Sequence, residues 1–435
     1  MRELLISDLP GSCDDVDYDS DIKPWLGDRV GVGGSLTDKS FTIAVQTTDE
    51  KKSREGIKKL FACGNEDYGI AYLDGYAILS ESQATVDKSI KATAKATLGD
   101  SAKFTKDFDQ LGNQGIASAW ADFTALADSP EAKDMFGTEL AEFKKADSMA
   151  ATLRVDDNAL ELAAISKSGD TEPASTASLA KLPADTVLGL SVAGVGDEVA
   201  KNFESAVSEF GTFFGGSSGG SSSGLTADDF DSQEEYESFQ ELMGDSSTKS
   251  PEDFLAEFEK ETGFNLRNDL ETLFGDSLTV ALGSENLETI PNLSGPEGLN
   301  AINLALALTS DKTKALDLVE RLASLADKAG ISLIAGPTDD GAVLATNQDA
   351  ADSIAKPDGT LGEEEAFKQV IPDGDAAYGG LFINVGTILD KLLEADPPEG
   401  IRSQIESAQA VSGVGISASM KDDDRTLIRL RLGLK

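Results

Sequence analysis

The chain has 435 residues, with 78 Asp or Glu against 37 Lys or Arg, and its formal net charge at neutral pH is -41. Such a surface repels phosphate backbones and anionic lipid headgroups, because binding them needs clustered Lys and Arg, so nucleic acid is excluded as an expected partner. The sequence contains no histidine, which excludes Ser-His and Cys-His dyads, imidazole metal ligands and imidazole proton transfer.

The first 168 residues predict one series of strands and helices. Apolar alternation, helical spacing and tight-turn dipeptides such as Asp74-Gly75 define the elements. In order, they are a strand at 41–47, a helix at 49–61, a hairpin around 74–75, a strand at 120–126 and a hairpin over 149–165 that turns at 156–158. A polar stretch at 169–181 then predicts a linker.

Residues 182–435 predict a longer series, which opens on Leu-Pro-Ala-Asp-Thr at 182–186. The elements are a strand at 187–192, a helix at 197–210, strands at 278–282 and 302–308, a helix at 311–329, a hairpin over 331–346, a strand at 376–385, a helix at 386–393 and a hairpin over 411–434. A Gly/Ser tract and an acidic run near 212–250 predict a disordered insertion within this series.

One segment occurs twice, which predicts a tandem duplication. Residues 21–32 (DIKPWLGDRVGV) return without a gap as residues 269–280 (DLETLFGDSLTV), and the elements that follow recur in the same order. The first repeat, 1–168, lacks the opening strand and helix of the second, 182–435. Either the repeats exchange strands, or the natural protein begins upstream of Met1. We favour the second explanation, because losing a strand would expose a sheet edge.

The repeated motif defines the residues expected to matter for structure. They are Trp25, Leu26, Gly27 and Asp28 in the first repeat and Leu273, Phe274, Gly275 and Asp276 in the second. The apolar pair before each Gly-Asp predicts a core anchor, with display to a partner as the alternative. The Gly-Asp pair predicts a turn in which the aspartate bonds its own backbone, with catalysis as the alternative.

Strands joined by tight hairpins, with helices between them, favour an α+β fold over a doubly wound parallel one. Each repeat is expected to form a mainly antiparallel sheet that helices cover on one face. No stretch of eighteen apolar residues predicts a transmembrane helix, and Met1–Leu5 lacks the apolar region of a secretory signal.

Two cysteines, Cys13 and Cys63, allow two interpretations. A disulfide between them would close a loop of about fifty residues and imply an oxidising compartment. The alternative is two buried free thiols.

No motif predicts a catalytic residue, a cofactor site or a metal site. Residues 215–219 fit Gly-x-Ser-x-Gly, but they lie in the low-complexity tract and have no base to serve them. The acidic run at 15–21 spaces carboxylates as calcium loops do, but it lacks the glycine and glutamate of those loops.

The 21–32 segment, its echo at 269–280 and Leu-Pro-Ala-Asp-Thr at 182–186 resemble the bacterial, mainly actinobacterial, family catalogued as domain of unknown function 3352. The resemblance covers nearly the whole chain. It implies a single transmembrane helix followed by a duplicated extracytoplasmic region, and it implies no activity, because none is established for the family. The placement of Cys13 and Cys63 is also similar to the family pattern.

The sequence therefore predicts a non-enzymatic, extracytoplasmic binding or scaffolding module of the cell envelope. Its partner would be an envelope protein or a small ligand, and membrane contact would come only through an upstream anchor. A second hypothesis is a binder of lipid or other apolar ligands in a groove between sheet and helices, lined by residues such as Leu318, Leu322 and Leu325. A third is a carboxylate-dependent hydrolase of envelope polymers that uses Asp28 and Asp276.

Overall fold

The computed structural model describes residues 16–35, 40–64, 67–124, 147–167, 179–194, 259–260, 263–292, 296–328, 330–372, 374, 377–422 and 425–435. The chain divides into two compact units. Unit 1 comprises Met1–Asn113 and Ala119–Ala150, and unit 2 comprises Gln114–Ser118 and Ala151–Lys435.

The described residues form fifteen strands. They are β1 (Leu26–Ser35), β2 (Ser40–Thr47), β3 (Gly69–Leu73), β4 (Tyr76–Ser80), β5 (Ala117–Asp122), β6 (Ser148–Asp156), β7 (Ala159–Lys167), β8 (Thr186–Ala193), β9 (Ser277–Gly283), β10 (Leu304–Thr309), β11 (Ile334–Pro337), β12 (Gly341–Ala345), β13 (Ala377–Ile383), β14 (Val411–Asp422) and β15 (Arg425–Leu434).

The same residues form nine α-helices and several short turns of other helix types. The α-helices are α1 (Glu50–Gly64), α2 (Gln83–Thr93), α3 (Ala102–Leu111), α4 (Leu266–Phe274), α5 (Lys312–Lys328), α6 (Gln348–Ala355), α7 (Glu365–Val370), α8 (Val385–Glu394) and α9 (Glu399–Ala408). Side-chain caps start several of them. Asp49 accepts from the backbone N–H of Lys52 at the start of α1, and Asp311 accepts from that of Lys314 at the start of α5, which satisfies donors that a helix leaves unpaired.

The strands form two sheets. The small sheet has the order β1-β2-β4-β3, and the large sheet has the order β11-β12-β10-β9-β8-β13-β14-β15-β7-β6-β5. Pairing is antiparallel throughout the small sheet and from β11 to β7 in the large one. The predicted α+β class with mainly antiparallel sheets is confirmed.

Helices lie on both faces at the β11 end of the large sheet, which differs from the predicted single covered face. On one face, Leu306 and Leu344 pack with Leu318 of α5. On the other, Ala305 and Ala345 pack with residues of α6. Successive residues of a strand point to opposite faces, and both kinds of position are apolar here, so each face needs its own cover.

The small sheet and the β11 end of the large sheet have matching strand orders, β3-β4-β2-β1 and β11-β12-β10-β9. Val30 of β1 lies opposite Val45, and its counterpart Leu278 of β9 lies opposite Leu308. The sequence comparison aligned strand 41–47 with 302–308, and these pairings shift that alignment by two residues. The match supports the predicted duplication, which stays a prediction, as do the repeat boundaries.

Several predicted features lie outside the described residues. These are Cys13, most of the linker at 169–181, the helix at 197–210 and the insertion near 212–250. Within the linker range, Leu179–Lys181 forms a 3-10 turn.

Candidate functional site

Trp25 occupies the core position that the repeated motif predicts for it. It is buried in a cluster with Ile22, Val45 and Ile57, and its indole N–H donates to the backbone carbonyl of Asp21. A Cβ atom at Gly56 of α1 would lie 2.4 Å from the indole nitrogen. Glycine at this position therefore lets the helix approach the tryptophan closely.

The counterpart motif in unit 2 ends a helix. Phe274 is the last residue of α4, and Gly275 follows with a positive φ of 25°. A Cβ atom at Gly275 would lie 2.7 Å from the carbonyl oxygen of Thr309, so the site favours glycine. Leu273 packs at the edge of the core below α5. Gly27 and Asp28, by contrast, lie within strand β1 and not in a turn.

Each copy of the motif carries an ion pair that the sequence comparison missed. Asp21 accepts from the ammonium group of Lys59 on α1. At the matching positions, Asp269 accepts from both terminal nitrogens of Arg321 on α5, at 3.1 and 2.7 Å. Both carboxylates are 14% exposed. The pairs tie the segment before β1 or β9 to the long helix that follows the next strand.

Asp28 and Asp276, the carboxylates considered for hydrolysis, each make backbone contacts within their own unit. Both side chains are exposed. Asp28 lies in unit 1 and Asp276 in unit 2. The backbone N–H of Asp28 donates to Gln46, and that of Asp276 donates to the carbonyl of Thr309. These contacts fix the backbone at the start of each strand.

The acidic run near the start of the chain has structural partners where the structure describes it. Asp17 caps the turn at Tyr18–Ile22 by accepting from the backbone N–H of Ser20, which lowers the pKa of its carboxyl group. Asp21 is paired with Lys59, and hydrogen bonding from that lysine lowers its pKa. No metal-binding cluster of Asp, Glu, Cys or His occurs among the described residues.

Cys63 lies in the last turn of α1, while Cys13 lies outside the described residues. The disulfide between them stays a prediction.

Two of the three residues proposed to line an apolar groove belong to the core, while Leu325 is 39% exposed. Leu318 is buried against Leu308 and Ala342, and Leu322 packs at the edge of the same cluster. A cleft beside Asp185 and Asn303 has an internal space of about 10 Å³, which is room for about one water molecule. It is far below the roughly 300 Å³ that an organic ligand occupies.

A charged network is buried between β6, β7 and β15 in unit 2. The carboxylate of Glu161 is fully buried and accepts from Arg154 and, at 2.7 Å, from Arg431. Arg431 also reaches the carboxylate of Asp156 at 3.2 Å. Glu161 and Arg431 lie opposite each other across the β7–β15 pair. Because both oxygens of Glu161 are engaged, we assign the network a structural role.

A second buried carboxylate belongs to Asp107 of α3 in unit 1. It accepts from the indole N–H of Trp120 at 2.9 Å and from the hydroxyl of Ser148 at 2.7 Å. Nearby, Lys103 donates to Asp147, and this hydrogen bond raises the lysine pKa. The contacts join α3 to β5 and β6 and suit a structural role as well.

An apolar face covers five adjacent strands of unit 2, β8, β13, β14, β15 and β7. We define it by three rows of cross-strand neighbours, which share a face because directly paired residues point the same way. The rows are Leu190, Leu381, Ile416, Leu430 and Leu162; Val192, Gly379, Ala418, Ile428 and Ala164; and Leu188, Ile383, Val414, Leu432 and Leu160. None of these fifteen positions is polar, although 26% of the chain is charged.

The apolar face is open to solvent along its middle. Leu190, Ile416, Leu430, Leu162 and Ile428 are between 38% and 49% exposed. Successive strands lie about 4.8 Å apart, so a row across five strands extends about 19 Å. Contiguous exposed apolar surface of this extent marks interaction sites more often than scattered apolar residues do.

The opposite face of the same strands is buried and carries both apolar residues, such as Phe382 and Leu427, and polar ones. Ser191, Ser417, Glu161 and Arg431 point to it and are buried. Helix α7 packs on β14 and β15 at this side, with Val370 and Phe382 in one cluster. The covered side of the strands therefore combines buried polar groups with a hydrophobic core, while the open side is wholly apolar.

Fold and surface together define an antiparallel α+β protein whose most distinctive exposed feature is the apolar face. The chain belongs to the family described as "Protein of unknown function (DUF3352)", whose profile matches residues 39–345. Searches against curated proteins and against solved structures returned no match. Within the described residues, no helix combines the length and the apolar character needed to cross a membrane.

Proposed function

We propose that this protein is a non-enzymatic binding module that docks an amphipathic helix of a partner protein on the apolar face of unit 2. The observation that carries the proposal is the open row Leu190, Leu381, Ile416, Leu430 and Leu162, in which every residue lies opposite the next. Burying apolar side chains that water now contacts provides the driving force, at about 25 cal/mol per Å².

The chemistry of the occupant follows from the covered part of the same face. The row continues from Leu190 through Val280 of β9 and Leu306 of β10 to Leu344 of β12. There α5 covers it with one side of an amphipathic helix, which places Leu318 against the sheet. An occupant of the open part meets the same kind of surface, so a helix with Leu, Val and Ala on one side fits it.

Two observations favour a protein helix over a lipid. The net charge of -41 disfavours approach to anionic membranes. The cleft beside Asp185 is too small to hold an acyl chain. An open sheet face suits a helix laid across it, as α5 lies on the covered part of the same face.

The direct test uses a labelled peptide of residues 312–328, the α5 sequence, as a helix probe for the full chain. We expect saturable binding by fluorescence anisotropy, weakened at least tenfold by Leu430→Lys or Ile416→Lys. Ile401→Lys, at a similarly exposed apolar position on α9, is the matched control and leaves binding unchanged. These exposed substitutions are expected to change stability by less than about 0.5 kcal/mol.

Three results would overturn the proposal. The first is equal loss of peptide binding in Leu430→Lys and Ile401→Lys, and the second is no peptide binding to the wild-type chain. The third is no binding of the dye ANS to the wild-type chain, which would mean that the face is covered within the protein itself. If the face takes up lipid from neutral vesicles and does not bind the peptide, the result would support the lipid-binding hypothesis in place of this proposal.

We place this binding outside the cytoplasm, in the cell envelope, and attach the protein to the membrane through an upstream anchor. The family resemblance and the predicted Cys13–Cys63 disulfide support this location. Thiol labelling of denatured, non-reduced protein recovered from its native compartment tests it. Two reactive thiols would contradict an oxidising location.

A further inference from the structure

The edge strand β1 of the small sheet differs from its counterpart β9 in one respect. Strand β9 has a neighbour on each side, β8 and β10. Among the described residues, β1 has a single neighbouring strand, β2. The row of backbone donors and acceptors along the other side of β1 is therefore open to an incoming strand.

The equivalence of β1 and β9 rests on packing as well as on sequence. Val45 of β2, opposite β1, packs with Ile57 of α1, and Leu308 of β10, opposite β9, packs with Val319 of α5. Helix α1 begins after Asp49 as α5 begins after Asp311. Counting from these caps, Ile57 and Val319 are matching positions, as are the two basic residues that pair with Asp21 and Asp269.

The two strands differ sharply in exposure. No residue of β9 is exposed, whereas residues 28–34 of β1 form an unbroken exposed run. Val280 lies between Leu190 and Leu306 and is half-buried. Its counterpart Val32 lies opposite Ile43 alone and is 71% exposed. The missing neighbour accounts for the difference.

A second residue of unit 1 is also exposed where its counterpart in unit 2 is buried. Thr97 and Thr360 each form a capping box over a short 3-10 turn, with the sequences Leu98–Asp100 and Leu361–Glu363. Leu361 is buried beside Leu182, and its N–H donates to the carbonyl of Leu182. Leu98 is 51% exposed. In unit 2, the same segment, Leu182 with β8, covers Leu361 and flanks Val280.

We propose that the open edge of β1 is an acceptor site for an extended segment of a partner polypeptide with the character of residues 182–193. The incoming strand runs antiparallel to β1, as β8 does to β9. The pairing of Leu190 with Val280 and of Val192 with Leu278 places the corresponding apolar residues opposite Val32 and Val30. Main-chain hydrogen bonds provide affinity, and the alternate side chains set the register.

The test uses a labelled synthetic peptide of residues 182–193 added to the full chain. We expect 1:1 binding by fluorescence anisotropy, reduced at least tenfold by Val32→Lys, because a charge on an edge strand opposes strand addition. Val155→Lys, at an exposed valine of β6, leaves binding unchanged. A peptide with proline at the positions of Leu188 and Leu190 should not bind, since proline removes ladder donors.

Hydrogen exchange provides the second readout. Peptide binding should slow exchange of backbone amides in residues 29–33, and the exposed Leu98 should become protected from hydroxyl-radical labelling. Absence of binding, binding that Val32→Lys does not weaken, or protection of residues 29–33 before peptide is added would each overturn the proposal. Leu430→Lys leaves this binding intact, so the result is separate from that for the apolar face.

Discussion

The small sheet and the β11 end of the large sheet differ in what lies beside them. Both have four strands in the same order, a long helix whose first turn an aspartate caps, and an ion pair to that helix. Among the described residues, β9 has a second neighbouring strand, β8, and β1 has none. Four strands and a long helix therefore form a core without a further strand. The exposure of the edge strand, β1 or β9, depends on whether a strand such as β8 lies beside it.

The ion pairs differ in strength between the two regions. Arg321 binds both oxygens of Asp269 and also contacts Asp317, whereas Lys59 donates one hydrogen bond to Asp21. A planar guanidinium matches a carboxylate in a way that an ammonium does not. The region with the added strand therefore also has the stronger link to its helix.

Removing the core anchor should have the largest effect. Trp25→Ala is expected to cost unit 1 about 3–5 kcal/mol, because it deletes a buried aromatic side chain and its hydrogen bond. Leu273→Ala, at the half-buried matching position, should cost about 1–2 kcal/mol. Urea unfolding monitored by hydrogen exchange in each unit measures both. Equal losses of stability in the two variants would contradict the expected difference between the two sites.

The next largest difference in stability is expected when a charged residue replaces a valine at matching positions of β9 and β1. Val280→Lys is expected to cost about 2–3 kcal/mol, since it places an ammonium group in an apolar row between two strands. Val32→Lys should change the free energy of unfolding by less than about 0.5 kcal/mol. Thermal and urea denaturation of the two variants tests this. A large loss in Val32→Lys would mean that the β1 edge is already covered.

The ion pairs should give a smaller difference. Asp269→Asn is expected to cost about 1–2 kcal/mol, because it disrupts a bidentate hydrogen-bonded pair, and Asp21→Asn should cost less. Hydrogen bonding from Lys59 lowers the pKa of Asp21 below its ordinary value of 3.8. Its stabilisation is thus present above pH 3.8 and is lost as the pH falls through the folded-state pKa. Asp21→Asn should lack that part of the acid dependence in urea unfolding from pH 5 to 2.

The smallest effect is expected at Asp185, in the Leu-Pro-Ala-Asp-Thr segment. Desolvation raises the pKa of its carboxyl group, and the neighbouring charge of Glu285 adds to the effect. Ionisation therefore weakens folding as the pH rises from 3.8 to the folded-state pKa. Asp185→Asn should raise stability at neutral pH by less than about 0.5 kcal/mol, because the residue is only partly removed from solvent and water screens its charge. Loss of stability at pH 7 in this variant would contradict the assignment.

Local sequence patterns predicted most elements of the fold. The strand at 187–192 and the helix at 311–329 agree with β8 and α5 to within two residues at each end. These elements have apolar periodicity and caps that need no tertiary information. The strand alignment between repeats was shifted by two residues because apolar strands match one another in several registers.

Features that depend on distant residues were not predicted. Asp21 and Lys59 are 38 residues apart, and Asp269 and Arg321 are 52 apart. No local sequence pattern relates the two partners of either ion pair. In β15, apolar and charged residues alternate from Ile428 to Leu432, which indicates a strand with two different faces. Alternation does not say which face is covered, and here the arginine side is buried and the apolar side is open.

The placement of β15 has a consequence for folding. Its pairing with β7 joins Arg431 to Glu161, which are 270 residues apart in the chain. A contact of this span forms slowly and only after residues 425–434 have left the ribosome. Until then β7 and β14 each lack a neighbour, and Glu161 lacks its arginine. Strand β7 therefore lacks this neighbour for most of the synthesis of the chain, and a chaperone that shields its edge should raise the yield of folded protein.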